Sequence, residues 1–453
     1  MTRILVLTGD PLGDRLAGPG IRATAIAAEA ARAGHELRLV TTSEVSGDWV
    51  SSGRGAGYST HTVRTGDDRT MRVHERWAEV ILFQGYALGQ FASLTTTDRI
   101  LVADLYAPFH LELAEQGRSA AAAEPAETTE LRVRIAERAI LDQLARADLV
   151  LAANDRQREL YRDMLGRTGR AAADDLFRIV PFGLDAEPPR SAAAPVIRGV
   201  IPGIDAGSRL VVWGGGVYDW FDPLTLIRAV GQLRDRVPEL RLLFLGTKNP
   251  RVGEPGMVGR AVALSDELEL TGRHVFFNAD WVPYAERGGW LLEADAAVST
   301  HRVHEETRYA FRTRILDYLW AGLPMVVTEG DGFADLVTAR DLGIVVPEGD
   351  VTALADALEI VLEDDDVATR FRRAVPAVAA EFAWPRALAP ILAFVEDPVH
   401  ARDYQPGRVG MSELGSVRRT AGVGHDLRMA WHHLTHAGPS GVLRRFRDRG
   451  RAS

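Results

Sequence analysis

The sequence predicts an α/β protein built from two parallel-sheet domains, and three observations predict it. A chain of 453 residues exceeds what one average core serves, so two domains of about 200 residues each are expected. Short apolar runs of strand length alternate with helix-length segments of 3.6-residue period, the pattern of parallel sheets covered by helices. The alternation breaks once, in the Pro-, Ala- and Gly-rich stretch "DAEPPRSAAAPVIRGVIPG", and restarts at "RLVVWGGG". The predicted organisation is a first domain over residues 1–186, a linker over 187–199, a second domain over 200–383, a helix over 384–397 and a basic tail over 398–453.

The first strand runs from Ile4 to Thr8 and leads into a glycine-rich loop, "GDPLGDRLAGPG", which carries Gly18 and Gly20. A helix follows from about Gly20 to Ala33. Arg22 falls in its first turn, where the helix dipole is already positive, and a bound anion is the simplest compensation. The glycine spacing is not Gly-x-Gly-x-x-Gly, so a nicotinamide cofactor is not indicated. Glycines placed for turn geometry alone remain the plainer alternative. "EVILFQG", "RILVAD", "DLVLAAN" and "LFRIVPFG" read as further strands. In open sheets of this kind ligands bind beyond the carboxyl ends of the strands. That rule places Asp104 and His110, which follow "RILVAD", at the mouth of the first domain as candidate catalytic groups.

In the second half, Gly214, Gly215 and Gly216 follow a buried strand and permit close backbone approach to a ligand. Lys248 stands at the exit of "LRLLFLG", and Trp281 and Val282 at the exit of the next strand. The segment "STHRVHEETRYAFRTRILDYLWAGLPMVVTE" organises the chain. It reads as a strand end, a polar loop holding Glu305 and Glu306, a helix with Ile315, Leu316, Leu319 and Trp320 at helical spacing, a stop at Gly322 and Pro324, and a new strand. Arg312, Thr313 and Arg314 occupy the first turn. Two guanidinium groups at a positive helix end call for an anion, and together with the exposed N–H groups they can hold a pyrophosphate. Asp317, one turn further on, can accept the hydroxyls of a ribose. An ordinary helix whose arginines face water stands as the alternative.

Composition excludes several classes. Apolar residues at 46% and charged residues at 25% are those of a globular protein. A net charge of -9 argues against general nucleic-acid binding. The sequence has no cysteine, hence no disulfide or thiolate chemistry. No run reaches the roughly 18 apolar residues of a membrane span, and a cytoplasmic location is expected. The run "EDDD" reads as a solvated turn and "HHLTH" as surface histidines, so no metal site is predicted. The arginine-rich tail, ending in "LRRFRDRGRAS", reads either as a plain disordered or packing extension or as a basic segment of the kind that touches anionic lipid at the inner membrane face.

Taken together, this outline resembles the glycosyltransferases of the GT-B fold, two Rossmann-like domains facing across a cleft with a C-terminal crossover helix. In particular it resembles family 4, the retaining nucleotide-sugar transferases. The resemblance covers residues 1–397. The family pattern of Glu, seven residues, Glu and a helix ending in Gly-x-Pro is matched by "YAFRTRILDYLWAGLPMVV", with Asp317 in the second glutamate's place. "GPGIRA" is similar to the family's first glycine loop and "EFAWPRALAPILAFVE" to its crossover helix.

The resemblance implies that backbone N–H groups of Phe311, Arg312 and Thr313 face the donor phosphates, that Trp281 and Val282 face the base, and that the acceptor sits by the glycine loop and Asp104. The donor is then a nucleoside diphosphate sugar, with no cofactor and no metal, and the acceptor a lipid carrier, a polysaccharide or a small natural product in glycan or glycoconjugate biosynthesis. Two departures follow. Tyr309 holds the first glutamate's position, which leaves its sugar contact to Glu305 or Glu306. The Arg and Lys that commonly follow the glycine turn are missing, with Arg312, Arg314 and Lys248 as the substitutes. A nucleotide-sugar epimerase using the loop from His304 to Glu306, and a noncatalytic nucleotide-sugar-binding subunit, are the competing readings.

Overall fold

The computed structural model describes residues 1–13, 16–46, 57–119, 126–171, 174–247, 256–280 and 282–405. Its first sheet has seven strands, β1 (Arg3–Thr8), β2 (Glu36–Thr41), β3 (Ser59–Thr62), β4 (Val80–Gln84), β5 (Ile100–Asp104), β6 (Leu149–Ala152) and β7 (Phe177–Ile179), in the order β3-β2-β1-β4-β5-β6-β7. The second has six, β8 (Arg209–Gly216), β9 (Leu240–Gly246), β10 (Val275–Phe277), β11 (Ala296–Ser299), β12 (Met325–Thr328) and β13 (Gly343–Val346), in the order β10-β9-β8-β11-β12-β13. Every ladder is parallel.

Helices cover both faces of such sheets, so the inner strands are apolar throughout rather than alternating. "VILFQ" of β4, "LVLA" of β6 and "AAVS" of β11 are buried along their whole length. The edge strand β3, "STHT", is polar and partly exposed because only one neighbour covers it. In each sheet the strand order reverses once, between β1 and β4 and between β8 and β11. Those reversals open crevices at the carboxyl ends of the strands.

The stretch resembling one crossover helix folds as two short ones, Trp384–Ala387 and Ala389–Glu396. They lie against the first sheet's side of the molecule. Thr2 Oγ1 donates to the Val395 carbonyl at 2.6 Å, and across the connection Leu184 donates its N–H to the Phe382 carbonyl while Trp384 donates its own to the Leu184 carbonyl. The Trp384 indole presses on the backbone at Gly183, where a Cβ would come within 2.5 Å of the ring. Only glycine permits that approach. Beyond Asp397 the chain continues along the same side, with Asp403 paired to Arg170 at 2.7 Å and His400 at 3.1 Å from Asp148. The arginine-rich part of the tail lies outside the described residues, and its expected lipid contact with it. No described helix is long and apolar enough to cross a membrane.

Candidate functional site

The two crevices face each other across a cleft of about 830 Å³. Asp10, Gly18, Gln84, Tyr106 and Glu112 line it from the first domain, and Gly214 to Gly216, Val282, Tyr284, Arg287, Glu306 and the segment from Ala310 to Arg314 from the second. Gln157 ties the two domains together. From the helix Asp155–Gly166, its Nε2 donates to the carbonyl of Tyr106 at 3.0 Å and to that of Tyr309 at 2.9 Å, one in each domain. Beside it Arg156 pairs with Asp335 at 2.6 Å and donates to the Gly330 carbonyl at 3.0 Å.

On the second-domain wall the glycine turn is held from below by the helix Thr313–Trp320. Gly214 donates its N–H to the Tyr318 hydroxyl at 2.9 Å, and that hydroxyl donates to the Val298 carbonyl at 2.8 Å. Gly215 has φ +73, a conformation natural to glycine. The first turn of the helix has no side-chain cap and no acidic residue; Ile315 donates its N–H to the Arg312 carbonyl at 2.9 Å, which leaves those of Thr313 and Arg314 for the cleft.

The arginines of this turn differ in kind. Arg312 is neutralised: Nη1 and Nη2 donate to the two oxygens of Glu306 at 2.8 and 2.7 Å, and Nε lies 3.6 Å from Asp331. The Glu306 carboxylate, expected to be free for catalysis, is thereby held in a buried bidentate pair. Arg314 has no carboxylate partner among the described residues. It is 7% exposed, its Nη2 donates to the Gly216 carbonyl at 2.7 Å, and its Nη1 has no hydrogen-bond partner. Aromatic faces replace a counter-ion, with Phe221 at 3.9 Å and Trp213 at 4.3 Å. Burial pushes its guanidinium down to about 10.

Asp317 faces the cleft with one oxygen engaged, since Arg287 Nε donates to Oδ1 at 2.9 Å. Arg287 in turn lies between Tyr284 at 3.6 Å and Trp320 at 4.2 Å and reaches Asp185 at 3.2 Å. Burial raises the Asp317 carboxyl and Arg287 opposes that rise. Phe311 packs edge-on against Phe333 and leaves its backbone at the cleft. Lys248 and Trp281 lie outside the described residues.

The first-domain wall corrects the sequence reading at three residues. Arg22 needs no external anion. It is wholly buried, and Nε and Nη2 donate to Asp104 at 2.8 to 3.0 Å while Nη1 and Nη2 donate to the carbonyls of Pro181 and Val180. Asp104 reaches the cleft wall, yet its carboxylate takes these bonds and another from Gln84 Nε2 at 2.9 Å, which leaves it little capacity as an acid or base. His110 does not line the cleft. It sits two residues before Glu112 on the helix Phe109–Ser119, hence about 200° away around the axis. It lies near Glu137 and Arg167, where burial pushes it down to about 4. Of the loop glycines, Gly18 lines the cleft and Gly20 does not; Gly20 donates its N–H to Asp10 Oδ2 at 3.1 Å.

Glu112, unmarked in the sequence, is half-buried on the cleft wall. No described side chain pairs with it, and burial followed by the charge of Glu306 pushes its carboxyl up to about 7, against the pull of Arg312. Tyr106 and Tyr161 are its other titratable neighbours. A carboxyl raised in the folded state stabilises the fold below its unfolded value and loses that contribution as pH rises through about 7. Glu112→Gln is therefore expected to gain about 2 kcal/mol over wild type at about pH 8 and nothing near pH 4, measured by urea unfolding at both. Equal stability at the higher pH would contradict this.

Two parallel-sheet domains that open a cleft at their carboxyl ends define the GT-B fold. The chain superposes on HepE of Anabaena, solved in complex with UDP-glucose, with a TM-score of 0.66, 16% identity, and coverage of 87% of this chain and 100% of that one. Sucrose-phosphate synthase of Thermosynechococcus elongatus gives 0.65, 17%, 87% and 98%. Residues 208–364, which hold the second sheet, match the sequence family described as "Glycosyl transferases group 1". A D-inositol 3-phosphate glycosyltransferase of Corynebacterium jeikeium is 27% identical over 254 residues, 55% of this chain and 57% of that protein. The chain thus spans little more than half the length of this curated relative.

Proposed function

We propose that this protein transfers a glycosyl group from a nucleoside diphosphate sugar to an acceptor hydroxyl, with retention at the anomeric carbon. The observation that carries the reading is Arg314, a buried cation without a carboxylate partner among the described residues, beside a glycine turn and an uncapped helix start. Breaking the bond between the anomeric carbon and the diphosphate leaves negative charge on the departing oxygen. Oriented N–H groups and a guanidinium fixed in a poorly hydrated cleft stabilise that charge where it develops. The free Oδ2 of Asp317 accepts from the ribose, and the acceptor enters along the first-domain wall. Retention rests on the resemblance to family 4. The positive charge for the diphosphate comes from the chain itself, and we propose a reaction that survives chelation by EDTA. The epimerase reading loses ground because Glu306, its acid or base, is locked to Arg312.

The test is calorimetry with UDP, GDP, TDP and ADP on wild-type protein, with magnesium and with EDTA. One nucleotide is expected to bind in both conditions, and at about 100 times its Kd to raise stability by about 2.7 kcal/mol. That nucleotide then selects the sugars for a transfer assay. If no nucleotide binds, the proposal fails.

A further inference from the structure

The two walls of the cleft carry opposite chemistry. Arg287, Arg312 and Arg314 all belong to the second domain, and none of the described first-domain residues that line the cleft is a lysine, arginine or histidine. Arg22, behind that wall, is closed off by Asp104 and two carbonyls. The first-domain wall instead offers acceptor atoms that lack donors. Gln84 is 4% exposed; because its Nε2 must serve the Asp104 carboxylate, its Oε1 is fixed as the free end and has no partner. Glu112 likewise has no described partner and feels the charge of the Glu306 carboxylate, which Arg312 pairs at 2.7 Å with His304 Nδ1 3.7 Å away.

A buried acceptor left unpaired costs about 1–3 kcal/mol, more when charged, and a ligand that brings donors removes that cost. An anion would meet Glu112 with no cation among the described cleft-lining residues of its own side to offset the repulsion.

Resting on the transferase reading, we infer that the acceptor is a polyol bearing an amine, its ammonium seated against Glu112 and a hydroxyl donating to Gln84 Oε1, and that acceptors carrying a phosphate are rejected. Glu112 is then the residue that sets acceptor charge. Its raised carboxyl adds a signature: at about pH 6 it is mostly protonated, so an arriving ammonium expels a proton to the buffer.

The experiment loads wild-type protein with the nucleoside diphosphate found to bind. It is then titrated at millimolar concentration with three ring-matched probes, scyllo-inosamine, myo-inositol and myo-inositol 1-phosphate. Inosamine is expected to bind about tenfold more tightly than inositol, a difference of about 1.4 kcal/mol. Its heat at about pH 6 should vary with the buffer's ionisation enthalpy, and the phosphate should give none. Glu112→Gln should bring inosamine and inositol within about twofold of each other and abolish the buffer dependence. Gln84→Met, which removes the free oxygen but no charge, should weaken both alike. The inference is overturned if the phosphate binds as well as inositol, if Glu112→Gln keeps the amine preference, or if none of the three binds to nucleotide-loaded protein. Failure of the nucleotide to bind in the first titration marks the separate failure of the transferase reading.

Discussion

Arg314→Met loses nucleoside diphosphate affinity by about two orders of magnitude, close to the 1.5–3 kcal/mol carried by a hydrogen bond to a charged group plus its Coulomb share, while the empty protein stays as stable as wild type or becomes more so. The two halves of that result have one cause. The guanidinium is buried with one carbonyl and two aromatic faces for company, and its depression to about 10 reports a fold that disfavours the charge by a few kcal/mol. The sign is that of a depressed base: the charged form is the costly one throughout the neutral range, so removing it costs only the bond to the Gly216 carbonyl. A ligand anion is what makes the charge favourable. Arg312→Met behaves oppositely, since it strands the buried Glu306 carboxylate and should cost about 3–5 kcal/mol. Calorimetry with the selected nucleotide and urea unfolding on both variants read the contrast. Unchanged nucleotide affinity in Arg314→Met, or a destabilisation equal to that of Arg312→Met, would assign Arg314 to packing.

How far the site was legible follows from the same residues. The fold could be read because parallel strands buried on both faces spell themselves as short apolar runs, and because Gly214 to Gly216 and the stop at Gly322 and Pro324 are local signals. The rule that a cation at a helix start calls for an anion holds at Arg22 and Arg312. It did not say whose anion. For Arg22 the answer is Asp104, 82 positions away on another strand, and for Arg312 it is Glu306, six positions back through a loop. For Arg314 no described residue supplies it. A guanidinium reaches several ångströms beyond its own helix, so only the assembled fold separates a satisfied arginine from a waiting one. Glu112 escaped notice because an acid in a first helical turn is ordinary. His110 drew notice by its residue type, although the helix turns it away from the cleft. Arg287 had no sequence signal at all, its partner Asp317 lying 30 positions on.

Asp104→Ala should be among the most destabilising single substitutions in the first domain, at about 3–5 kcal/mol, because it leaves the buried Arg22 charge uncompensated. Arg22 comes from the helix after β1, Asp104 ends β5, and Val180 and Pro181 follow β7, so one guanidinium fastens three parts of the sheet's carboxyl edge. In a domain of about 190 residues unfolding as a unit such a loss lowers Tm by roughly 10 °C. The distinguishing measurement is the double variant Arg22→Met/Asp104→Leu. Exchanging a buried ion pair for apolar groups of similar volume is often neutral or stabilising, and the double variant should recover most of the lost Tm even though it still lacks the carboxylate. The recovery separates two roles that single substitutions confound. If Asp104 is an anchor, nucleotide binding and transfer return together with stability. If it handles a proton of the acceptor, the double variant folds and binds nucleotide but stays inactive. The saturation of its oxygens by two donor side chains favours the anchor, since a base must keep a lone pair for the proton it takes.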